Sequence, residues 1–147
     1  MKASLTAYQL IKEHTPLLLK SGQNSAGIWI IGYRHTFNVE PKQTITSECA
    51  DAFLKADVSD CEYYLDQLNL DLDQNQYDAL ISFIFDQGIS RLKTSTLLKK
   101  IRKNKNDPTI RDEFQRYIYA SKSGKSRRSE DLVNLRYQEY RLFKELL

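Results

Sequence analysis

The sequence predicts an α+β fold. Apolar residues recur at helical spacing in successive stretches, and one glycine-punctuated segment near the start, rich in β-branched and aromatic residues, breaks the pattern. Helices and one small sheet, segregated along the chain, define that class.

Leu5, Tyr8, Leu10, Ile11 and His14 space a first helix, and Pro16, which has no amide to donate and restricts the residue before it, stops it. Residues 17–38 place Gly22, Gly27 and Gly32 among strand-forming residues, a compact hairpin sheet. After a turn at 40–43, Thr46 caps a long helix with Glu48 in its first turn, favourable for the helix dipole. Its stripe of Ala50, Phe53, Leu54, Val58, Cys61, Tyr64, Leu65 and Leu68 spans about 30 Å and links the sheet to a helical half. Asp71 with Gln74 has capping-box spacing ahead of residues 77–85, which are apolar on nearly every side and form the buried centre of that half until Gly88 ends them. Ser95 starts a short helix through Leu97, Leu98 and Ile101. Asp107-Pro108 starts another, with proline at its first position and the stripe Ile110, Phe114, Tyr117 and Ile118. Ser121 to Ser129 reads as a mobile, basic loop. Ser129 then caps a last helix with the apolar face Leu132, Val133, Leu135, Tyr140, Leu142, Phe143 and Leu146.

At 147 residues, 41% hydrophobic and 28% charged, the chain can bury one globular core, and it is read as a single domain over 1–147. No apolar run is long enough for a transmembrane helix, and the first residues lack the apolar stretch of a secretory signal. The expectation is a chain made in the cytoplasm and moved, if at all, by a lysis or injection machinery. Cys49 and Cys61 lie on one predicted helix roughly 18 Å apart, so they are expected to be free thiols. Net charge is +3 but uneven: acids dominate Glu48 to Asp78, while Arg91 to Lys105 holds bases and no acid. A second basic group is Lys122, Lys125, Arg127 and Arg128. Such clusters attract polyanions, but the first run carries no aromatic platform for bases, which disfavours nucleic acid. With two His and no Cys/His or carboxylate cluster at ligand spacing, neither a metal nor another cofactor is implied.

Several motifs then fall in order. Gly27-Ile28-Trp29-Ile30-Ile31-Gly32-Tyr33-Arg34-His35-Thr36 resembles a Gly-x-Trp-Thr-Ile-Gly-Tyr-Gly-His-Thr hairpin, and Gln74 to Phe85 resembles Gln-Asn-Gln-Phe-Asp-Ala-Leu-Val-Ser-Phe-Ala-Phe. Ser95 to Lys100, Arg116-Tyr117, and Arg136 with Glu139 match further segments, although the Gly-Leu-x-x-Arg-Arg approach to the last helix is degraded. Together they resemble the phage-type lysozymes, glycoside hydrolase family 24. The resemblance implies a bilobal lysozyme-like fold: a small lobe over about 1–45, a linking helix over 46–68 and a helical lobe over 69–147.

It also implies where chemistry should sit. Thr15 stands at the family's catalytic Glu, Asn24 at its Asp and Ile30 at its Thr. Glycoside hydrolysis needs a proton for the departing oxygen and a carboxylate opposite. An alcohol is far too weak an acid, an amide carries no charge, and Ile30 offers no hydroxyl. Pro16 replaces a Gly, and Arg34 replaces the Gly that lines the cleft, where its guanidinium would fill the groove or bind an anion. Asp86 stands where an amide that faces the cleft is usual, and reads either as a cleft residue or as a solvated helix-end residue; Phe85 reads as cleft floor or core, and Trp29 and Tyr33 as cleft aromatics or hairpin core. Glu13, two residues from Thr15, points about 200° away on the helix and reads as a surface charge. By resemblance, His35 pairs with Asp57 and ties the hairpin to the linking helix.

From these losses the expectation is a catalytically inactive homologue. Its groove would hold peptidoglycan glycan or a protein partner, by analogy within a phage-tail-like or injection apparatus. The alternative is an active peptidoglycan-hydrolysing muramidase using substituted residues.

Overall fold

A computed structural model describes residues 1–122 and 125–145. Ser123 and Gly124 of the basic segment, the side chain of Lys122 and the stripe position Leu146 lie outside the described residues.

Helix α1 (Leu5–Glu13) begins where the Ser4 hydroxyl accepts the Thr6 amide, and it buries Ala7, Leu10 and Ile11. Strands β1 (Leu18–Gln23) and β2 (Trp29–Gly32) pair antiparallel, Gln23 opposite Trp29 and Gly22 opposite Ile30, with an irregularity before Leu18 meets Gly32. The hairpin lies hard against helix α2 (Ser47–Asp66). Gly32 sits at φ 62°, and a Cβ there would stand 3.3 Å from the Ala50 Cβ. Both the backbone and the space therefore call for glycine. Thr46 caps α2 by accepting from the Cys49 amide at 3.1 Å.

Helix α3 (Gln74–Gln87) is the centre of the helical half: Ala79, Leu80, Ile81 and Phe83 are fully buried, and the helix packs against α1, α2 and α7. Phe83 meets Phe114 and Tyr117 edge-on, with ring centres 6.0 and 4.9 Å away. Such aromatic pairs add to the burial of their surface. Around α3 lie α4 (Ile89–Lys93), α5 (Thr96–Lys103), α6 (Ile110–Phe114) and α7 (Glu130–Lys144), with Ser95 and Ser129 capping α5 and α7.

Four local expectations need correction. The capping box before α3 is Asp73 with Gln76, not Asp71 with Gln74, because the chain stays non-helical two residues longer. Helix α4 was not foreseen: five residues between Gly88 and Thr94 are too short for a periodic signal. Pro108 precedes α6 in a turn that Asp107 stabilises by accepting from the Thr109 amide and hydroxyl, and α6 ends at Phe114, before Tyr117 and Ile118. The expected loop after Ser121 is part of a hairpin, β3 (Tyr119–Lys122) with β4 (Lys125–Arg128), whose Lys125, Arg127 and Arg128 are exposed. A solvated strand pair has no buried face, so it leaves no apolar alternation to read.

Candidate active site

The β1–β2 turn, the end of α3 and the middle of α2 enclose a cavity of about 390 Å³ lined by Asn24, Ile30, Arg34, Thr36, Asp57, Cys61, Ile84 and Phe85. Asn24 also builds its own turn: its Oδ1 accepts the amides of Ala26 and Ile28 at 2.9 and 3.0 Å. Ile30 is half-buried and faces this space. Thr15 does not. It is buried and lines a neighbouring cavity of about 410 Å³ with Lys12, Glu13, Tyr33 and Asp131. Glu13 and Thr15 thus border one space, contrary to the expected opposition, because Thr15 lies beyond the last helical turn and no longer obeys helical spacing. Tyr33 packs against the core with the Lys12 ammonium 5.4 Å from its ring centre, and Trp29 is half-buried in β2.

The ionisable groups at the first cavity come from three elements. His35 Nδ1 lies 2.8 Å from Asp57 Oδ2, and its ring stacks on Phe53 at 4.2 Å. Burial raises the Asp57 carboxyl above its ordinary value, outweighing the His35 hydrogen bond and charge that pull the other way. Arg34 reaches over from the hairpin: Nη1 donates to Asp86 Oδ1 at 3.0 Å, Nη2 to the Asp86 carbonyl at 3.4 Å, and the guanidinium lies 5.6 Å from the Phe85 ring centre. Asp86 is further held by Arg136 and by the Gln87 amide at 2.7 Å. Burial alone would raise its carboxyl; the Arg136 charge, the Gln87 hydrogen bond and Arg34 together hold it below the ordinary value.

Behind Asp86 the network is wholly buried. Arg136 has no exposed surface, stands 5.0 Å from the Phe83 ring centre, and lies 3.1 Å from Glu139, which accepts the Ser82 hydroxyl at 2.6 Å. Burial pushes Glu139 up to about 8 against the pull of Arg136 and Ser82. Such a cluster is costly to bury unless every charge is matched, and here it fixes the Asp86 carboxylate in place.

Of the residues expected at the groove, Asn24, Ile30, Arg34 and Phe85 meet at one cavity, with Asp86 behind Arg34. Cys61, Thr36 and Ile84 also line it and were not foreseen. Cys61 was legible in principle, one helical turn after Asp57 on α2. Burial pushes its thiol up to about 12, so it presents a neutral, unreactive wall. Among the described residues no cluster of His, Cys, Asp or Glu fits a metal ion.

This hairpin-and-helix architecture, with a groove between the two halves, is that of a lysozyme. The phage lysozyme family profile matches residues 12–139, and the chain belongs to that family. An endolysin of Acyrthosiphon pisum secondary endosymbiont phage 1 is 40% identical over 136 residues, covering 91% of this chain and 92% of that protein. The muramidase domain of SpmX from Asticaccaulis excentricus superimposes with a TM-score of 0.90 at 30% identity over 99% of both chains. A mutant P22 lysozyme gives 0.79 at 32% identity over 99% of both.

These likenesses overturn the expectation of a chain that is not an enzyme. A relative 40% identical over nearly its full length is an endolysin, and the family is one of muramidases. The expectation rested on Thr15, Asn24 and Ile30, with Glu13 read as a surface charge and Asp86 as a single carboxylate. Folding brings one other carboxyl, Asp57 from α2, to the cavity where Asn24 and Ile30 lie, and a second, Asp86 at the end of α3, behind the Arg34 that lines it.

Proposed function

We propose that the chain is a peptidoglycan-hydrolysing muramidase that works with substituted residues, its substrate the glycan strand and its groove the cavity beneath Arg34. The observation that carries this reading is a carboxyl in the cavity wall, Asp57, with a second, Asp86, behind Arg34, their proton affinities shifted in opposite directions. Asp57 is raised by burial, and Asp86 is held ionised by two arginines. Glycosidic cleavage uses that division: one group keeps a proton for the departing oxygen, and the other stays negative to hold developing positive charge or to orient water. Asp57 is the proton donor in this scheme and Asp86 the fixed charge. Asn24 and Thr36 supply hydrogen-bonding groups along the wall, and Phe85 supplies an apolar face for a sugar ring.

The test is incubation of the wild-type protein with purified peptidoglycan, with mass spectrometry of the released material. Muropeptides with new reducing ends are expected. Intact sacculi after long incubation with correctly folded protein would refute the reading.

A further inference from the structure

Arg34 lines the cavity and also joins the hairpin to the end of α3. It follows β2 in left-handed backbone (φ 59°), where a side chain is costly, yet it carries the longest cation available. Its guanidinium leaves the hairpin and ends on Asp86, 52 residues away in the chain, with hydrogen bonds of 3.0 and 3.4 Å. The far end is immobile, because Asp86 is also gripped by Arg136, which has no exposed surface. The near end is accessible: the Arg34 side chain is 39% exposed. Among the described residues no other hydrogen bond or ion pair joins residues 18–36 to α3. The hairpin is otherwise tied to α2, through His35–Asp57 and the close approach of Gly32 to Ala50. One part-exposed ion pair therefore joins the hairpin to α3 at the edge of the cavity.

We propose that Arg34 and Asp86 form a clasp that closes the groove at rest and must part before a glycan strand can seat. The inference rests on the muramidase reading for what enters, but the clasp itself can be tested without substrate. Part-exposed ion pairs contribute little and are screened by salt, so the clasp is one that a ligand or ionic strength can open.

The test compares wild type with Arg34→Gln, which keeps length and removes charge, and with Asp86→Asn singly and combined. The first measurement is amide hydrogen exchange over residues 29–36 without glycan. Exchange in Arg34→Gln is expected to be about two- to fivefold faster. Added salt should bring wild type toward that rate and leave the variant little changed. Asp86→Asn, which also leaves the buried Arg136 without this carboxylate, should be at least as fast, and Arg34→Gln should add nothing to it. The second measurement is kinetics on soluble glycan strands, where Arg34→Gln is expected to lower KM by the same factor and to abolish its salt dependence. Equal exchange in wild type and Arg34→Gln would overturn the clasp whatever the substrate. Faster exchange with an unchanged or raised KM would overturn its role as a gate. Absence of muropeptides from every protein would overturn the glycan reading, while exchange still reports on the clasp.

Discussion

Asp57 and Asp86 have opposite fates for reasons visible atom by atom. Asp57 has one partner, a histidine stacked on Phe53, and too little solvation to favour its charge. Asp86 has two guanidinium partners and an amide. A proton donor with a raised carboxyl works while protonated, so muropeptide release should decline as pH rises through the Asp57 value. A pH–rate profile that is flat on its alkaline side would contradict that assignment. At Gly32 the constraint is steric. Gly32→Ala meets Ala50 at 3.3 Å in backbone of φ 62° and should lower stability by about 1 kcal/mol or more, measurable by urea unfolding. Residue identities made some of this legible. The arginine at 34 and the acid at 86 could be read directly. The sense of the proton affinities could not, because desolvation belongs to the folded environment and not to the residue type.

Helix α7 serves the site from behind. It carries Arg136 and Glu139 one turn apart, and the pair, wholly buried, clamps Asp86 at the end of α3. The linkage sign follows from the raised Glu139 carboxyl, at about 8 in the fold against an ordinary value of 4.5. The native state holds the proton more tightly, so the stability contributed by this group is fully present below that ordinary value and lost as pH rises through about 8. Glu139→Gln removes the titration. Its melting temperature relative to wild type should therefore rise between about pH 5 and about pH 9; a constant difference would show that Glu139 is ionised throughout. Elements with strong amphipathic stripes were the legible ones: α1, α2, α3, α5 and α7 lie close to their expected places. The short α4, the truncated α6 and the β3–β4 hairpin were not, since their boundaries depend on turn geometry and on contacts made after folding.

Across the whole molecule, the groove is assembled from segments far apart in sequence: the turn at Asn24, Arg34 of the hairpin, Asp57 of α2 and Phe85 at the end of α3, backed by Asp86 and the buried Arg136 of α7. No helix among the described residues is long and apolar enough to cross a membrane. Reading the three aligned positions one at a time pointed to a groove without chemistry; the assembled groove brings carboxyls from elsewhere. That is why the resemblance gave the architecture more securely than the site. The most direct measurement is the release of reducing ends from purified peptidoglycan by wild type beside Asp57→Asn, Asp86→Asn and the double variant, each checked for folding by circular dichroism. The account predicts measurable release by wild type and a loss of about 10²-fold or more in each single variant. Release that persists undiminished in the double variant, or none from wild type, would contradict it.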